Sequence, residues 1–522
     1  MSDSSIRRKR RKTAVTLGAA LAAVPAAQAA TFTVSNLDDS GPGSLRQAIL
    51  DSNGAAGADA IDFQAGLTGA IVLSSGQLVV TDSVDIQGPG ALDLAVTGLG
   101  DSRLFYLYSG QALIDVTISG LTLAGGNADH GGAIADLGEN LVLDSVAITG
   151  NVASIGVEGG GDGGGLWVSA PNFEGISLTI RDSTISGNTA GADGGGIYLY
   201  RIAGPVLIQN STVSGNYAGG NGGGIGLFDL YDSGSLSILN TTIAGNTAIG
   251  TGGGSFALDG PVTVENSIVG DNTATTHNDL GTFGDGLFDV SFSLVESPGT
   301  ANITDNGGNV FNQDPQLGPL TNNGGPTSTH LPADTSPVIN AGNPTFTPPP
   351  NTDQRGLPRV VNGRIDMGSV EVEMPAAAGT IQLAMSADSV GETAGTITIT
   401  ALRTGGSSGA VSVTVNTANG TAVAPADYGA VIGAVLNWAD GDTAPKTLNV
   451  SIVADGTTEP PETFDVILSN PTGGASLGAP SNEIVTILDA ANVVDVPAVS
   501  DLGLAVLTAI LSLAGIYLVR RQ

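Results

Sequence analysis

The sequence predicts an all-β fold: a right-handed parallel β-helix, then an antiparallel β-sandwich, plus one C-terminal transmembrane helix. Three features of the 522 residues support it: a repeated unit in the middle of the chain, alternating apolar and polar residues after it, and an apolar run near the end. Glycine accounts for 78 residues and apolar residues for 41%. This combination fits tight turns around packed cores, and it excludes a disordered chain, which would contain fewer apolar residues.

The repeated unit is a short alternating segment that ends in Asn and is followed by a glycine cluster. The clearest copies are residues 178–188, 206–216, 236–246 and 262–272. The closing asparagines are Asn127, Asn151, Asn188, Asn216, Asn246 and Asn272. One unit cannot bury its apolar side alone, so neighbouring units must stack on one another.

Stacking of these units predicts a parallel β-helix domain over residues 31–372, with three short strands in each coil. Equivalent residues of adjacent coils would lie about 4.8 Å apart. Asn188, Asn216 and Asn246 would then form an inward ladder in which each side-chain amide binds the next. The rival architecture is a β-propeller, but its blades need about 40 or more residues, and these units are shorter.

A second domain is predicted for residues 379–490, after a linker at residues 373–378. Stretches such as residues 396–400, 411–415 and 448–452 alternate apolar and polar side chains. About seven strands of this kind, separated by turn signals, favour an antiparallel β-sandwich.

The two ends of the chain predict export and anchoring. Residues 1–29 contain a basic stretch, a short apolar run and a small-residue cleavage site, which is typical of a signal peptide. A linker at residues 491–501 leads to residues 502–522, an apolar span with a basic tail that predicts a transmembrane anchor. The protein would therefore be held at the membrane by its C-terminal helix.

The charge of the chain is strongly negative. It has 17 Lys and Arg residues against 49 Asp and Glu residues, a net charge of −32. So acidic a protein repels phosphate backbones, which excludes nucleic acid as a partner. Cation binding, or solubility in salt, fits this balance.

One column of residues in the β-helix has a catalytic interpretation. Asp162 and Asp193 each precede a glycine triplet. On adjacent coils their carboxylates would lie about 5 Å apart, the separation found in a retaining glycosidase. Two alternatives remain open: Asp and Asn favour turns before Gly, and the same column could hold a cation. Because no other cluster of catalytic groups stands out, the sequence favours a protein without catalytic residues.

The repeats resemble the parallel β-helix repeats of bacterial surface proteins, including polymorphic outer-membrane adhesins. Residues 31–63 resemble the CSLREA segment that opens such proteins. Its central motif here is Gly43-Ser44-Leu45-Arg46-Gln47-Ala48-Ile49. Residues 318–371 resemble the choice-of-anchor Q region that closes the β-helix. They carry Asp353-Gln354-Arg355-Gly356 and Ile365-Asp366-Met367-Gly368.

The C-terminal end resembles the IPTL-type sorting signals of Gram-negative bacteria. The resemblance rests on residues 496–500, the apolar span that follows them, and the pair Arg520-Arg521. It implies that residues 491–501 include a sorting motif and that a sorting protease is a partner.

The second domain resembles the Calx-beta domain of sodium–calcium exchangers. Matching pieces are residues 389–392, 426–428, 462–464 and 487–489. In exchanger domains, loop carboxylates at such positions bind Ca²⁺. The resemblance implies the metal ligands Glu392, Asp427, Asp455, Glu459 and Asp489, with Glu462 as a secondary candidate. Ala454 and Ala490 stand where further acidic residues are usual, which implies fewer sites with a Kd of about 10⁻⁴ to 10⁻³ M. The alternative is a structural sandwich with solvated acidic loops.

These observations predict an exported, envelope-anchored surface protein of a Gram-negative bacterium. It would be a non-enzymatic adhesin or structural protein with Ca²⁺ as its cofactor. The alternative function is a polysaccharide lyase or glycoside hydrolase that acts through the β-helix face. Expected partners are the membrane, the sorting protease, and an extracellular polysaccharide or another cell surface. A cell-to-cell or calcium-response role is a third hypothesis, which rests on the Calx-beta resemblance alone.

Overall fold

The structure is a computed structural model, and it describes residues 29–489 except 111, 157–159, 171–174, 232–233, 362 and 374–376. The chain divides into two compact units, Met1–Glu373 and Met374–Gln522. The predicted signal peptide (apart from Ala29), sorting motif and transmembrane anchor lie outside the described residues. Among the residues that are described, no helix has both the length and the apolar character of a membrane span.

The first unit is a parallel β-helix, as predicted. Within its described residues the chain winds through four parallel sheets. Sheet 1 consists of Thr31–Val34, Asp59–Phe63, Val84–Gln87, Asp115–Ser119, Asn140–Asp144, Leu178–Arg181, Pro205–Gln209, Ser235–Leu239, Pro261–Glu265, Leu287–Ser291 and Ile303–Asp305. Sheet 2 consists of Gly69–Leu73, Leu94–Gly98, Thr122–Ala124, Ala147–Thr149, Thr184–Ser186, Thr212–Ser214, Thr242–Ala244, Ile268–Gly270, Leu294–Val295 and Val310–Phe311.

The other two sheets of the β-helix are made of shorter strands. Sheet 3 consists of Asn127–Ala128, Val152–Ala153, Thr189–Ala190, Tyr217–Ala218, Thr247–Thr251 and Thr273–Thr276. Sheet 4 consists of Leu78–Val80, Phe105–Leu107, Ile134–Asp136, Leu166–Ser169, Ile197–Tyr200, Ile225–Leu227, Ser255–Ala257 and Leu280–Thr282. The prediction of three strands per coil was wrong for the coils that contribute to sheet 3. Four of its six strands have only two residues, which is too short to show alternation.

The core of the β-helix is a stack of equivalent apolar side chains. In sheet 1, Leu178 pairs with Val206, Val206 pairs with Leu236, and Leu236 pairs with Val262. All four of these side chains are buried. Parallel pairing places equivalent apolar residues of successive coils next to one another. Each coil therefore covers apolar side chains that the previous coil alone would leave exposed.

The predicted amide ladder is present at one buried corner of the stack. From Asn151 to Asn272, the Nδ2 group of each repeat asparagine donates to Oδ1 of the next, at 2.9–3.0 Å. The same Oδ1 atoms also accept the backbone N–H of the preceding asparagine at 2.9–3.0 Å. Asn127 does not join, because Gly126 occupies the equivalent position and donates its N–H to Asn151 Oδ1. At the other end, Asn272 donates to Asp279 Oδ1.

The glycine triplets that follow the asparagines form a turn where coils approach closely. Gly194 has φ +66°, in the left-handed region that glycine occupies without strain. A Cβ atom on Gly195 would overlap the carbonyl oxygen of Gly223 on the next coil. The triplets are therefore required by the stacking itself.

An α-helix, Leu45–Gly54, packs on the first strands of the β-helix, and the all-β prediction did not include it. Ser44 caps it by accepting the N–H of Gln47 at 3.2 Å. Leu45, Ala48 and Ile49 are buried. Their spacing of i, i+3 and i+4 is the helical signal that the sequence contained.

Residues 318–372 pack along the outer face of sheet 2, across successive coils. Thr184 Oγ1 donates to Ser328 O at 2.6 Å, and Thr212 Oγ1 donates to Gln354 Oε1 at 2.6 Å. The sequence predicts that this segment closes the β-helix, and the structure places it along this flank. It thereby covers threonine hydroxyls that would otherwise face water.

The second unit is a β-sandwich, also as predicted. Its described residues form two sheets and a 3₁₀-helix, Glu392–Ala394. One sheet consists of Lys446–Ser451, Thr396–Thr404, Thr380–Leu383 and Ser476–Leu477. The other consists of Ala387–Gly391, Asn482–Leu488, Glu462–Ser469, Val411–Asn419 and Ala434–Trp438. The prediction of purely antiparallel pairing was wrong at two places. Thr380–Leu383 pairs in parallel with Ser476–Leu477, and Ala387–Gly391 pairs in parallel with Asn482–Leu488.

Removing one asparagine of the ladder tests its contribution to stability. Asn216→Ala deprives Asn188 of its acceptor and leaves Asn246 Oδ1 and Ile185 O without the Nδ2 donor. Each buried polar group left without a partner costs about 1–3 kcal/mol. We expect a loss of about 3 kcal/mol or more in the free energy of unfolding by urea. Asn127→Ala, outside the ladder, should cost under about 1 kcal/mol. Equal losses would contradict the role of the ladder.

Buried carboxylates make the stability of the β-helix depend on pH. Burial, and then the charge of Glu139, raise the pKa of Asp136 to about 7. The unfolded value is about 3.9, so the folded state binds the proton more tightly. The stability that this carboxyl group contributes is therefore fully present below about pH 3.9 and is lost as the pH rises through about 7. Asp136→Asn should reduce the change in the urea midpoint between pH 4.5 and pH 7 relative to the parent. Asp101→Asn, at an exposed position, should leave that change unaltered.

Candidate metal centre

The predicted ligands are carried by loops and strand ends of the sandwich. Glu392 starts the 3₁₀-helix that follows the strand Ala387–Gly391. Asp455 and Glu459 lie in the loop before the strand Glu462–Ser469, and Asp489 follows the strand Asn482–Leu488. Because these carboxylates lie just outside the strands, they can come together without interrupting the hydrogen bonds of the sheet.

The structure brings all the predicted ligands to one pocket. Its acidic lining consists of Glu392, Asp427, Asp455, Glu459, Glu462 and Asp489. The pocket has a volume of about 20 Å³, which is enough for one water-sized occupant. Thr457, Pro460 and Ile487 complete one side of it.

Three of these carboxylates form the closest group. One oxygen atom each from Asp427, Glu459 and Glu462 lies within 4.8 Å of the others. All three side chains are half-buried. Oxygen atoms that converge at this distance could together bind a hard divalent cation, which prefers oxygen ligands.

Backbone amides hold the carboxylates of the pocket in place. Asp489 Oδ2 accepts the N–H of Glu459 at 2.6 Å, and Glu392 Oε1 accepts the N–H of Asp455 at 2.7 Å. Asp427 Oδ2 accepts the N–H of its own loop, from Val423, at 2.6 Å. The loops are therefore tied to one another through the acidic side chains.

Desolvation and the crowding of like charges raise the pKa of two glutamates of the pocket, Glu459 and Glu462. Desolvation, and then the neighbouring carboxylates, raise the pKa of Glu459. Desolvation, followed by Asp427 and Glu459, raises the pKa of Glu462. The negative charges thus repel one another, and a cation between them would relieve that repulsion.

The second pair of predicted residues, Asp162 and Asp193, lies on adjacent coils of the β-helix. Asp162 Oδ1 accepts the N–H of Asp193 at 3.1 Å, and Asp193 Oδ1 accepts the N–H of Asn221 at 2.6 Å. Asn221 Oδ1 in turn accepts the N–H of Thr251. This is an outer ladder along the turn before the glycine triplets. It gives both carboxylates a structural partner and favours the turn interpretation of the column.

His130 extends the outer ladder by one coil. Its Nδ1 lies 3.4 Å from Asp162 Oδ2, within ion-pair range but without hydrogen-bond geometry. Its ring stacks on Trp167, with ring centroids 4.9 Å apart. No local pattern in the sequence shows that Trp167, on the next coil, lies against this ring.

Comparison with protein families divides the chain in the same way. Residues 375–491 match the model of the Calx-beta domain, and residues 103–306 match the model of the right-handed beta helix region. These matches confirm a right-handed β-helix region and a Calx-beta domain, and the resemblance to bacterial surface adhesins stays a prediction. The CSLREA, choice-of-anchor and IPTL resemblances stay predictions. No curated protein matches the chain.

Solved structures similar to the chain include domains of Calx. The apo-form Calx CBD1 domain is 28% identical, with 21% of this chain and 97% of that chain covered and a TM-score of 0.20. CBD12 from CALX1.2 is 27% identical, with 21% and 44% covered and a TM-score of 0.20. The Calx CBD2 domain is 16% identical, with 27% and 98% covered and a TM-score of 0.21. At such TM-scores these likenesses carry no argument about the fold or the ligand.

Calx-beta domains are calcium-binding domains, and the acidic pocket here could hold a metal ion. The sequence placed Glu462 second to the other candidates, yet it belongs to the closest group of three. Glu462 opens a strand, three residues after Glu459 in the loop. This spacing places Glu462 near Glu459 along the chain, but it does not show that the loop brings their two carboxylates together.

Proposed function

We propose that this protein is an exported, envelope-anchored surface protein of a Gram-negative bacterium. It is a non-enzymatic adhesin or structural protein whose sandwich binds Ca²⁺. The β-helix and Calx-beta matches support a surface or structural role, and the net charge of −32 supports cation binding. A polysaccharide or another cell surface is its partner in this proposal, and a sorting protease reads its C-terminal end.

The observation that carries the calcium proposal is the convergence of Asp427, Glu459 and Glu462 within 4.8 Å. Ca²⁺ takes 6–8 oxygen ligands in a flexible arrangement. A pocket lined by carboxylates from several loops provides oxygens of this kind without the strict octahedron that Mg²⁺ demands. Asp427, Glu459 and Glu462 would hold the ion, and Glu392, Asp455 and Asp489 would complete or support the site.

Binding of Ca²⁺ would join loops that are separate in sequence. Asp427 and Glu459 lie in two different connections of the sandwich, and Asp489 follows its last described strand. An ion between them replaces mutual repulsion by attraction, so this end of the sandwich becomes stiffer when calcium is present. That is a useful property for a domain exposed to mechanical load at a cell surface.

Thermal unfolding in Ca²⁺ tests the site in the full chain. In a Trp167→Phe variant, the buried Trp438 alone reports by fluorescence, and it reports on the sandwich. With a Kd of about 10⁻⁴ to 10⁻³ M, 5 mM Ca²⁺ adds about 1–2 kcal/mol to the stability of the folded state. We expect the midpoint to rise by about 5–10 °C, and Mg²⁺ to have a smaller effect.

Two variants complete the calcium experiment. Glu462→Gln should remove most of the rise, because it deletes one charge from the closest group. Asp388→Asn is the matched control, since this acidic residue lies on the strand before Glu392 and does not line the pocket. A rise that persists in Glu462→Gln, or no rise in the parent at 5 mM Ca²⁺, would rule out this site.

Export and anchoring are tested by fractionation of a Gram-negative host that expresses the full chain. We expect the protein in the envelope fraction and accessible to protease added to whole cells. Deletion of residues 502–522 should release it into the soluble exported fraction, and deletion of residues 1–29 should keep it in the cytoplasm. Recovery of the full chain from the cytoplasm alone would overturn this part of the proposal.

A further inference from the structure

A second pocket lies on the outside of the β-helix, next to the outer ladder. It is a groove of about 520 Å³, within the size range of small-molecule sites. Its walls are mainly apolar and include the rings of Phe228, Phe256 and Phe283. The Asp193 carboxylate belongs to the same lining. None of these residues takes part in the calcium site.

The walls of the groove expose apolar side chains that a stable core would bury. Phe283 is 69% exposed and Ile249 is 54% exposed. Exposed apolar groups gathered around a concavity mark a binding site more often than scattered ones do.

Asp193 supplies the charge of the groove. One carboxylate oxygen accepts the N–H of Asn221. Among the described residues, no Lys, Arg or His forms an ion pair with Asp193. Partial burial, together with the charge of Asp162, raises the pKa of this carboxyl group. A carboxylate in such a place lacks a positive partner of its own.

The polar groups of the groove do not suit a sugar. The Thr251 hydroxyl is bonded to His277 Nδ1 at 2.9 Å, and the Thr275 hydroxyl donates to Ile249 O at 2.5 Å. Of the other polar residues in the lining, Asn221 belongs to the outer ladder and Thr276 to sheet 3. Phenyl rings provide no hydrogen bonds, but their faces attract cations. A carboxylate beside several phenyl rings complements a positive charge that is covered by methyl groups.

We propose that this groove binds a small organic cation that carries an alkylated ammonium group. The Asp193 carboxylate would face the charge, and the rings of Phe228, Phe256 and Phe283 would contact its methyl groups. The strongly negative surface of the protein would raise the local concentration of such cations.

The test compares choline with its neutral isostere, 3,3-dimethylbutan-1-ol, in ligand-observed NMR titrations of the full chain. We expect choline to bind at least tenfold more tightly than the isostere. Asp193→Asn should weaken choline at least tenfold and leave the isostere unchanged, because the asparagine oxygen still accepts the N–H of Asn221. Asp162→Asn is the matched control: the same substitution one coil away, outside the lining, should alter choline binding by less than threefold.

Phe283→Leu separates the aromatic contribution from simple apolar contact. Because Phe283 is mostly exposed, the variant should keep the parent unfolding midpoint. It should weaken choline several-fold without weakening the isostere. Equal binding of choline and isostere would show an apolar ligand site and overturn the proposal. Binding of neutral oligosaccharides without choline, or no binding of choline at 20 mM, would overturn it as well.

Discussion

Register between coils is the constraint on which the β-helix depends. Each coil places its residues directly over the equivalent residues of the previous one, so a polar group that recurs at one buried position can pair with its equivalent on the next coil. Asn188 and Asn216 meet that need with the same two atoms, Nδ2 and Oδ1. The corner tolerates an amide because an amide both donates and accepts, whereas an ionised Asp in its place could only accept.

The repeat made the β-helix predictable. The structure differs from the prediction in segments where the repeat has no recognisable pattern. The apolar alternation and the asparagines predict the coils and the amide ladder. Sheet 3 was missed because strands such as Thr189–Ala190 hold only two residues. The flank formed by residues 318–372 was missed for another reason: its contacts, such as Gln354 with Thr212, join residues 142 positions apart. No local pattern encodes such a contact.

The two candidate sites were predictable to different degrees. The ligands of the sandwich follow a sequence pattern, so their gathering in one pocket could be expected, but the grouping of Glu462 with Asp427 and Glu459 depends on loop geometry. The groove on the β-helix had no signal. Phe228 and Phe283 follow strands of sheet 4 at equivalent positions two coils apart, and Leu258 takes that position on the coil between them. Phe256 lies inside a strand, so the repeat does not show that the three rings line one groove. They come together only because stacking fixes where each coil ends.

The scarcity of basic residues links both sites to the composition of the chain. With 17 basic against 49 acidic residues, most carboxylates cannot have a basic partner within the protein. Backbone N–H groups take over that role inside the fold, as they do for Asp162 and Asp489. Where carboxylates gather, as around Glu462, or line an apolar groove, as Asp193 does, backbone donors satisfy hydrogen bonding but do not neutralise charge. In both proposed sites, cations from solution would supply the positive charge, and their size and hydration would decide which site they enter.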